Sequence, residues 1–489
     1  MGFLRKSYPY LAAFFVMLMG SGLVKLPTDS LWFYVVRYGI ILGVLGIGVW
    51  TWYKARANKI PPTAYLLLSL FVPFTNDYML HIIFLVFTVV LFRKEVLLPF
   101  KSPLKPIYIL FFLGLTSYTI NQFIEFNPLS FPIFFILFFL PCAFFSLFCK
   151  YTNANNRAGL IEFYLKLVLI MSLIIIIQTI VFWNEHPDAR NGGTTHVHFA
   201  GVLLSLAFIL CLSKLLYNNN PFKKLTIYEK LILIITLPLL FLMDAKLSLG
   251  IVGLIIVIAF FLMLRKKVYR ITAAAVVLSI AAAFLLMPQM NLPISILSFK
   301  NADISLTNIV NTFKGSEKMQ IIKDAASLPF DEPLTFIIGS GPGTFLSRTT
   351  LLKKYMADGH SYNLYGAKDS VGSNTLHKLF APADTRLEKK YNFADLKGMS
   401  KISSVYDWKS SVLSFYFEFG IISVLTVIYF LYKLFKKILN KENRANYNYI
   451  LFGFLMLFIL AISFFNYWQE YTNYLIIQSA LLGLVTFKH

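Results

Sequence analysis

The chain has 489 residues, of which 57% are hydrophobic and 14% charged, and Phe alone supplies 49. Its mean hydropathy is +0.68; ordinary soluble domains carry about 25% charged residues, so this balance excludes a soluble enzyme, a disordered chain and a secreted disulfide scaffold. What remains is a polytopic membrane protein, whose 45 Lys and Arg against 23 Asp and Glu, a net charge of +22, must be accounted for within that class.

The first residues, Met1-Gly2-Phe3-Leu4-Arg5-Lys6, lead into an apolar run with no small-residue cleavage site behind it, so an uncleaved first span is expected. A bilayer span needs about 20 apolar residues. Candidates fall near 8–24, 31–51, 62–75, 78–92, 106–121, 129–149, 161–183, 197–216, 228–243, 247–264, 271–287, 411–432, 447–465 and 471–486. The pair 62–75 and 78–92 is short and broken by Asn76 and Asp77, as two tilted spans or a re-entrant pair would be. Asp244-Ala245-Lys246 interrupts 228–264 in the same way. Cys142, Cys149 and Cys211 all sit in apolar runs without CxxC or Cys/His spacing, which points to buried thiols and to neither zinc nor disulfides.

Basic residues cluster at every second connection: Arg5 and Lys6; Lys54, Arg56 and Lys59; Arg93, Lys94, Lys101 and Lys105; Lys150 and Arg157; Lys223, Lys224 and Lys230; Arg265 to Arg270; Lys433 to Arg444. The positive-inside rule then predicts both termini in the cytoplasm and an even number of spans. The expected architecture is an all-α polytopic membrane protein of about 12–14 transmembrane helices. Residues 1–287 hold the first eleven spans, 288–410 form one large loop domain on the opposite side, and 411–489 hold the last three spans. Inside that loop, 316–326 has a helical apolar pattern ended by Pro329 and Pro333, and Thr335–Ile338 reads as a short strand or buried turn.

Four stretches carry candidate chemistry. Gly339-Ser340-Gly341-Pro342-Gly343 lets backbone approach closely, as a tight turn or as an anion-binding nest; no Walker or dinucleotide context surrounds it. Asn184–His198 contains Arg190, His196 and His198 just before an apolar run. An Arg fork binds phosphate bidentately. The two His, two apart, cannot share a helical face, so one is expected to point away. No carboxylate pair stands beside them, so no metal is expected. Asp244–Ser248 places ionisable groups between apolar runs, either as a loop ion pair or as a functional site. Asp407–Gly420 contains Lys409 and Glu418; a carboxylate there is a general base, a clamp on the loop, or a helix–helix hydrogen bond.

Taken in order, these stretches resemble the O-antigen polymerase and O-antigen ligase superfamily of bacterial inner-membrane glycosyltransferases, with a GT-C-like fold and a large periplasmic loop. Arg190–Gly193 looks like the family's Arg-x-x-Gly element. Lys246–Gly250 is similar to its Ser-Arg-Gly element, with Lys in place of Arg. Lys318, Ile322 and Ala325, followed by Ile338–Phe345, resemble its Arg-x-x-x-Trp-x-x-Ala…Gly-x-Gly-x-Gly-x-Phe passage. Ser411–Ile422 resembles the helix after the large loop. Where the family's ligases carry His at the base of the loop, this chain has Lys409, which favours a polymerase.

The resemblance implies a metal-independent polymerase without cofactor, acting on undecaprenyl-diphosphate-linked repeat units in the bacterial inner membrane. Arg190, Lys246, Lys318 and Lys409 would stabilise the departing diphosphate. Arg190, His196, His198 and Glu418 would be the catalytic candidates, with His360 a further possible base, and Gly339, Gly341 and Gly343 would shape the loop. Partners implied are the lipid-linked glycans, membrane lipids and a chain-length regulator protein. A ligase passing glycan to lipid A core or protein, and a lipid-linked oligosaccharide flippase, are the rival readings. Nucleic acid is not an expected partner, because the basic residues are dispersed over short loops.

Overall fold

The computed structural model describes residues 2–24, 31–94, 105–124, 135, 140–182, 190–194, 196–217, 225–243, 245–263, 319, 322–323, 333–341, 411–439, 447–465 and 472–485. The described residues form an all-α protein without a β-strand. Its helices, in chain order, are α1 Gly2–Gly20, α2 Leu31–Ala57, α3 Thr63–Phe71, α4 Tyr78–Leu91, α5 Lys105–Ile124, α6 Cys142–Tyr151 and α7 Ala154–Val181. They continue with α8 Val197–Tyr217, α9 Ile227–Leu242, α10 Lys246–Met263, α11 Pro333–Ile338, α12 Ser411–Leu439, α13 Tyr447–Phe465 and α14 Thr472–Val485.

Among the described residues, three helices are long and apolar enough to cross a membrane, over Tyr34–Ala57, Asn155–Val181 and Val197–Leu216. Seven shorter apolar helices accompany them. The expected span 271–287, most of the expected loop domain, Lys318, Gly343, His360 and Lys409 lie outside the described residues.

The core is built around α8, whose residues from Phe199 to Ser213 are all buried. Its sequence is apolar all round, which suits a helix enclosed by others. Helices α7, α9, α10 and α13 pack on it. Its hydroxyls are absorbed locally, Ser205 bonding to Gly201 O and Ser213 to Ile209 O. On another flank α14 packs on α6, α3 and α4.

Helix α2 is the opposite case. Trp32, Tyr34, Val35, Tyr38, Leu42, Ile47, Trp50 and Tyr53 all face outward. Tyr34 and Tyr53 are separated by about 28 Å of helix at 1.5 Å per residue, close to the roughly 30 Å hydrocarbon thickness that interfacial aromatics bracket. Water would be a poor solvent for such a face and lipid a good one.

The corner between α3 and α4 follows from its residues. A 3-10 turn, Val72–Phe74, runs on from α3. Asp77 then caps α4 by accepting from the Met79 and Leu80 amides at 2.9 and 3.3 Å. It also accepts from Arg37 on α2, at 2.7 and 3.2 Å. Burial pushes the Asp77 carboxyl up, but Arg37 and the two amides outweigh it and hold it below the usual carboxylate value.

One local expectation is corrected. Thr335–Ile338 is the end of a short helix, not a strand, and Leu334 and Ile337 are exposed rather than buried. Pro333 opens this helix, because its fixed φ suits the first helical position, where no amide is needed.

Candidate functional site

Two polar clusters gather the sequence candidates. The first is the loop between α7 and α8. Arg190 is wholly buried there, the largest fully buried side chain among the described residues. Its guanidinium donates to the Leu242 carbonyl, at the C-terminal end of α9, where the helix dipole is negative and favours a cation.

The residues after Arg190 are held by amide chemistry. Gln178 on α7 accepts from the Gly192 amide at 2.8 Å and donates to Asn191 Oδ1 at 3.1 Å and to Ser21 O at 2.6 Å. The Gly193 amide donates to Asn191 Oδ1 at 3.0 Å. Gly193 has φ +82°, and a Cβ there would lie 2.1 Å from Met17 O. Only glycine lets this loop lie against the end of α1. Asn76, at the α3–α4 corner, donates to Gly20 O at 3.0 Å and ties the corner into the same junction.

The Leu242 carbonyl stands directly before the α9–α10 break. Ala245 N donates back to Leu240 O at 3.0 Å, and α10 begins at Lys246. Arg190–Gly193 and Lys246–Gly250 are thereby brought to one place, across 52 positions of sequence at the Arg190 bond. Ser248 is buried in the first turn of α10. A Cβ on Gly201 of α8 would meet Ala245 Cβ at 2.9 Å and Ser248 Oγ at 3.4 Å.

His196 and His198 correct a second expectation. Neither points away from the other: the rings approach to 4.9 Å between centroids, tilted by 40°, and both are exposed. Helical spacing does not govern them, because α8 starts at Val197 and His196 precedes it. His196 instead caps the helix, its carbonyl accepting from Phe199 and Ala200. Its Nδ1 accepts from the His198 amide at 3.1 Å.

The second cluster joins the glycine turn to a broken helix. Helix α12 is interrupted at Gly420, whose φ of 71° and ψ of 178° are not helical. Against the break lies Gly339–Gly341. Ser340 N donates to Phe417 O at 2.8 Å and Gly341 N to Glu418 O at 3.1 Å. Ser340 Oγ donates to Phe417 O at 3.1 Å. Helix α5 completes the junction, with Asn121 donating to Gly339 O at 3.1 Å. Ser117 lies 3.4 Å from both Gly339 O and Glu418 O.

The approach is so close that a Cβ on Gly339 would sit 2.2 Å from Glu418 O, and one on Gly420 2.3 Å from Ile337 O. Glu418 is only 2% exposed. Its main-chain carbonyl holds the turn, accepting from the Gly341 amide.

The structure therefore brings Arg190 to the helix that Lys246 opens, and Gly339 and Gly341 to Glu418. Helix α13 packs against both α10 and α12, which carry the two clusters. Among the described residues, no group of three or more His, Cys, Asp or Glu could hold a metal ion. The supporting side chains Gln178, Asn191, Ser117 and Asn121 were not among the sequence candidates. Gln178 had a readable signal, a lone amide inside the run Ile174-Ile175-Ile176-Ile177-Gln178-Thr179-Ile180. Set against family models, curated proteins and solved structures, the chain matches none.

Proposed function

We propose that the chain is a bacterial inner-membrane glycosyltransferase that polymerises undecaprenyl-diphosphate-linked oligosaccharide repeat units into O-antigen or a related surface polysaccharide. In this reading about 12–14 spans leave both termini in the cytoplasm, and the reaction runs at the periplasmic face. The growing glycan leaves its lipid diphosphate and joins the free end of a new lipid-linked unit. The reaction needs a cation held where phosphate charge develops, an apolar surface for the polyprenyl tail, and a base for the acceptor hydroxyl.

The observation that carries the reading is Arg190. A fully buried guanidinium, fixed on a glycine loop at the end of α9 and beside the start of α10, is a preorganised phosphate ligand. Lys246 opens the adjoining helix and adds a second cation to that segment. For the base, the exposed His pair stands at the end of the same loop as Arg190, whereas Glu418 belongs to the other cluster. Because His196 Nδ1 accepts from a backbone amide, its neutral form carries its proton on Nε2 and is a donor. The base role falls to His198.

The test is elongation by the purified full chain, given lipid-diphosphate-linked repeat units and no membrane gradient. A ladder of polymer is expected from the wild type, and single units only from Arg190→Ala or Lys318→Ala. Normal-length polymer from both variants overturns the assignment. His198→Asn should lower turnover while leaving substrate binding intact.

A further inference from the structure

The ends of α2, α4 and α6 and the start of α7 meet at one corner. Thr63, at the start of α3, accepts from Asn156 Nδ2 at 3.4 Å, and the same amide donates to Tyr151 O at 2.9 Å. Tyr151 touches Phe92, with ring centroids 6.1 Å apart, and Phe92 touches Tyr65 at 4.7 Å. Around this neutral centre stand Lys54, Arg56, Lys59, Arg93, Lys94 and Lys150, all exposed. The ion pairs Arg37–Asp77, Glu162–Lys166 and Lys214–Glu229 do not use Lys54, Arg56, Lys59, Arg93 or Lys94.

Three of these cations lie over aromatic rings at the edge of the apolar surface: Lys54 over Trp50 at 4.5 Å, Arg56 over Trp52 at 5.3 Å, and Lys150 over Tyr151 at 5.0 Å. That is the arrangement of side chains whose stems run along an apolar face and whose heads sit at its polar boundary. Lys59 adds a separate observation. Helix α2 ends in a Schellman turn, Ile60 N donating to Ala55 O and Lys59 N to Arg56 O. Lys59 occupies its left-handed position at φ 54°, the one positive-φ residue other than glycine among those described. Glycine would make this turn with less strain, so the turn by itself does not ask for a lysine. What Lys59 adds is an exposed cation in the turn that leads into α3.

We propose that this corner is a docking surface for anionic phospholipid headgroups. A phosphodiester presents only acceptor oxygens. The corner offers the complement, a crowd of donors at the membrane boundary beside exposed apolar rings that suit acyl chains. This surface is independent of the polymerase reading.

The test is thermal unfolding of the full chain in neutral-detergent micelles doped with phosphatidylglycerol or with phosphatidylcholine. Phosphatidylglycerol should raise Tm with its mole fraction, and added salt should reduce the rise. The apparent affinity should fall about fivefold for each cation removed, so the combined Arg56→Gln, Lys59→Gln, Arg93→Gln and Lys94→Gln variant should lose nearly all of the response. Lys59→Gly separates binding from folding: it should melt no lower than wild type without lipid, yet respond about fivefold more weakly. Lys436→Gln, on the exposed side of α12, should keep the full response. An equal rise with phosphatidylcholine, a rise reproduced by inorganic phosphate, or a full response from Lys59→Gly overturns the proposal. So does an equal weakening by Lys436→Gln, which would mean diffuse attraction.

Discussion

Replacing Gly420 by Ala tests whether the break in α12 holds the glycine turn in place. At φ 71° and ψ 178° the residue lies where L side chains are strained by about 1–3 kcal/mol. An undocked α12 can continue as helix through Ala, which favours that state by roughly 1 kcal/mol over Gly. The docked state should therefore lose about 2–4 kcal/mol relative to the undocked one. The new Cβ, 2.3 Å from Ile337 O and 2.6 Å from Gly339 N, adds to this, since both neighbours are main chain and cannot rotate aside. Hydrogen exchange read by mass spectrometry on the full chain reports it directly. The Ser340 and Gly341 amides, bonded to Phe417 O and Glu418 O, should exchange about 30-fold to nearly a thousandfold faster, at a tenfold change per 1.4 kcal/mol. Gly39 in α2 is the control, because a Cβ there meets nothing within 4 Å, and Gly39→Ala should leave those amides protected. Unchanged exchange in Gly420→Ala would refute the argument.

Gln178→Leu keeps the side-chain size but leaves the Gly192 amide and the Ser21 carbonyl without the partner they have now. At about 1–3 kcal/mol per orphaned buried group, denaturant unfolding in detergent should show a loss of at least roughly 2 kcal/mol; wild-type stability would count against the clamp. Asp77→Asn keeps a cap for α4 and removes the ion pair with Arg37, a partly exposed contact worth no more than about 1 kcal/mol. Because the native Asp77 carboxyl titrates below its ordinary value, its contribution is fully present above about pH 4 and fades as pH falls through the lowered native value. The Tm gap between wild type and Asp77→Asn should be constant from about pH 5 to 8 and close below about pH 4; a gap that widens on acidification would contradict the sign.

Elements whose cause is local are legible in part. Asn76 and Asp77 read as a break between two apolar runs, and the break is there, with Asp77 capping α4; the apolar run 197–216 is the helix α8, covered on every side. The failures are local too, and each has a physical reason. Helical spacing does not apply to His196 and His198, because His196 stands one residue outside the helix. Apolar content misleads at Thr335–Ile338, because Pro333 starts a helix there. The docking of Gly339–Gly341 on α12 is only partly legible: a clamp on the loop is one reading of Glu418, but the Ser340 and Gly341 amides bond main-chain carbonyls 77 positions away, and the pairing of those two segments has no side-chain pattern of its own. The two glycines and the buried carboxylate could be named separately, but not as one junction.

That division separates two kinds of polar residue in an apolar chain. Irregular backbone enclosed by apolar helices finds little water to satisfy it, so the protein must supply partners. Gln178, Asn191, Ser117 and Asn121 do this work, each bonding main-chain groups of a loop or a helix end. Amides and hydroxyls suffice for it, and a full charge would cost more than it returned. Arg190 is of the other kind. Its guanidinium is a full charge, wholly buried, that donates to Leu242 O at the end of α9. In the proposed reaction it also meets the substrate phosphate, and Arg190→Gln separates the two roles. The substitution can keep a donor for Leu242 O and hence the fold, but it cannot hold a diphosphate. Retained Tm with lost elongation supports the phosphate role, and retained elongation removes it.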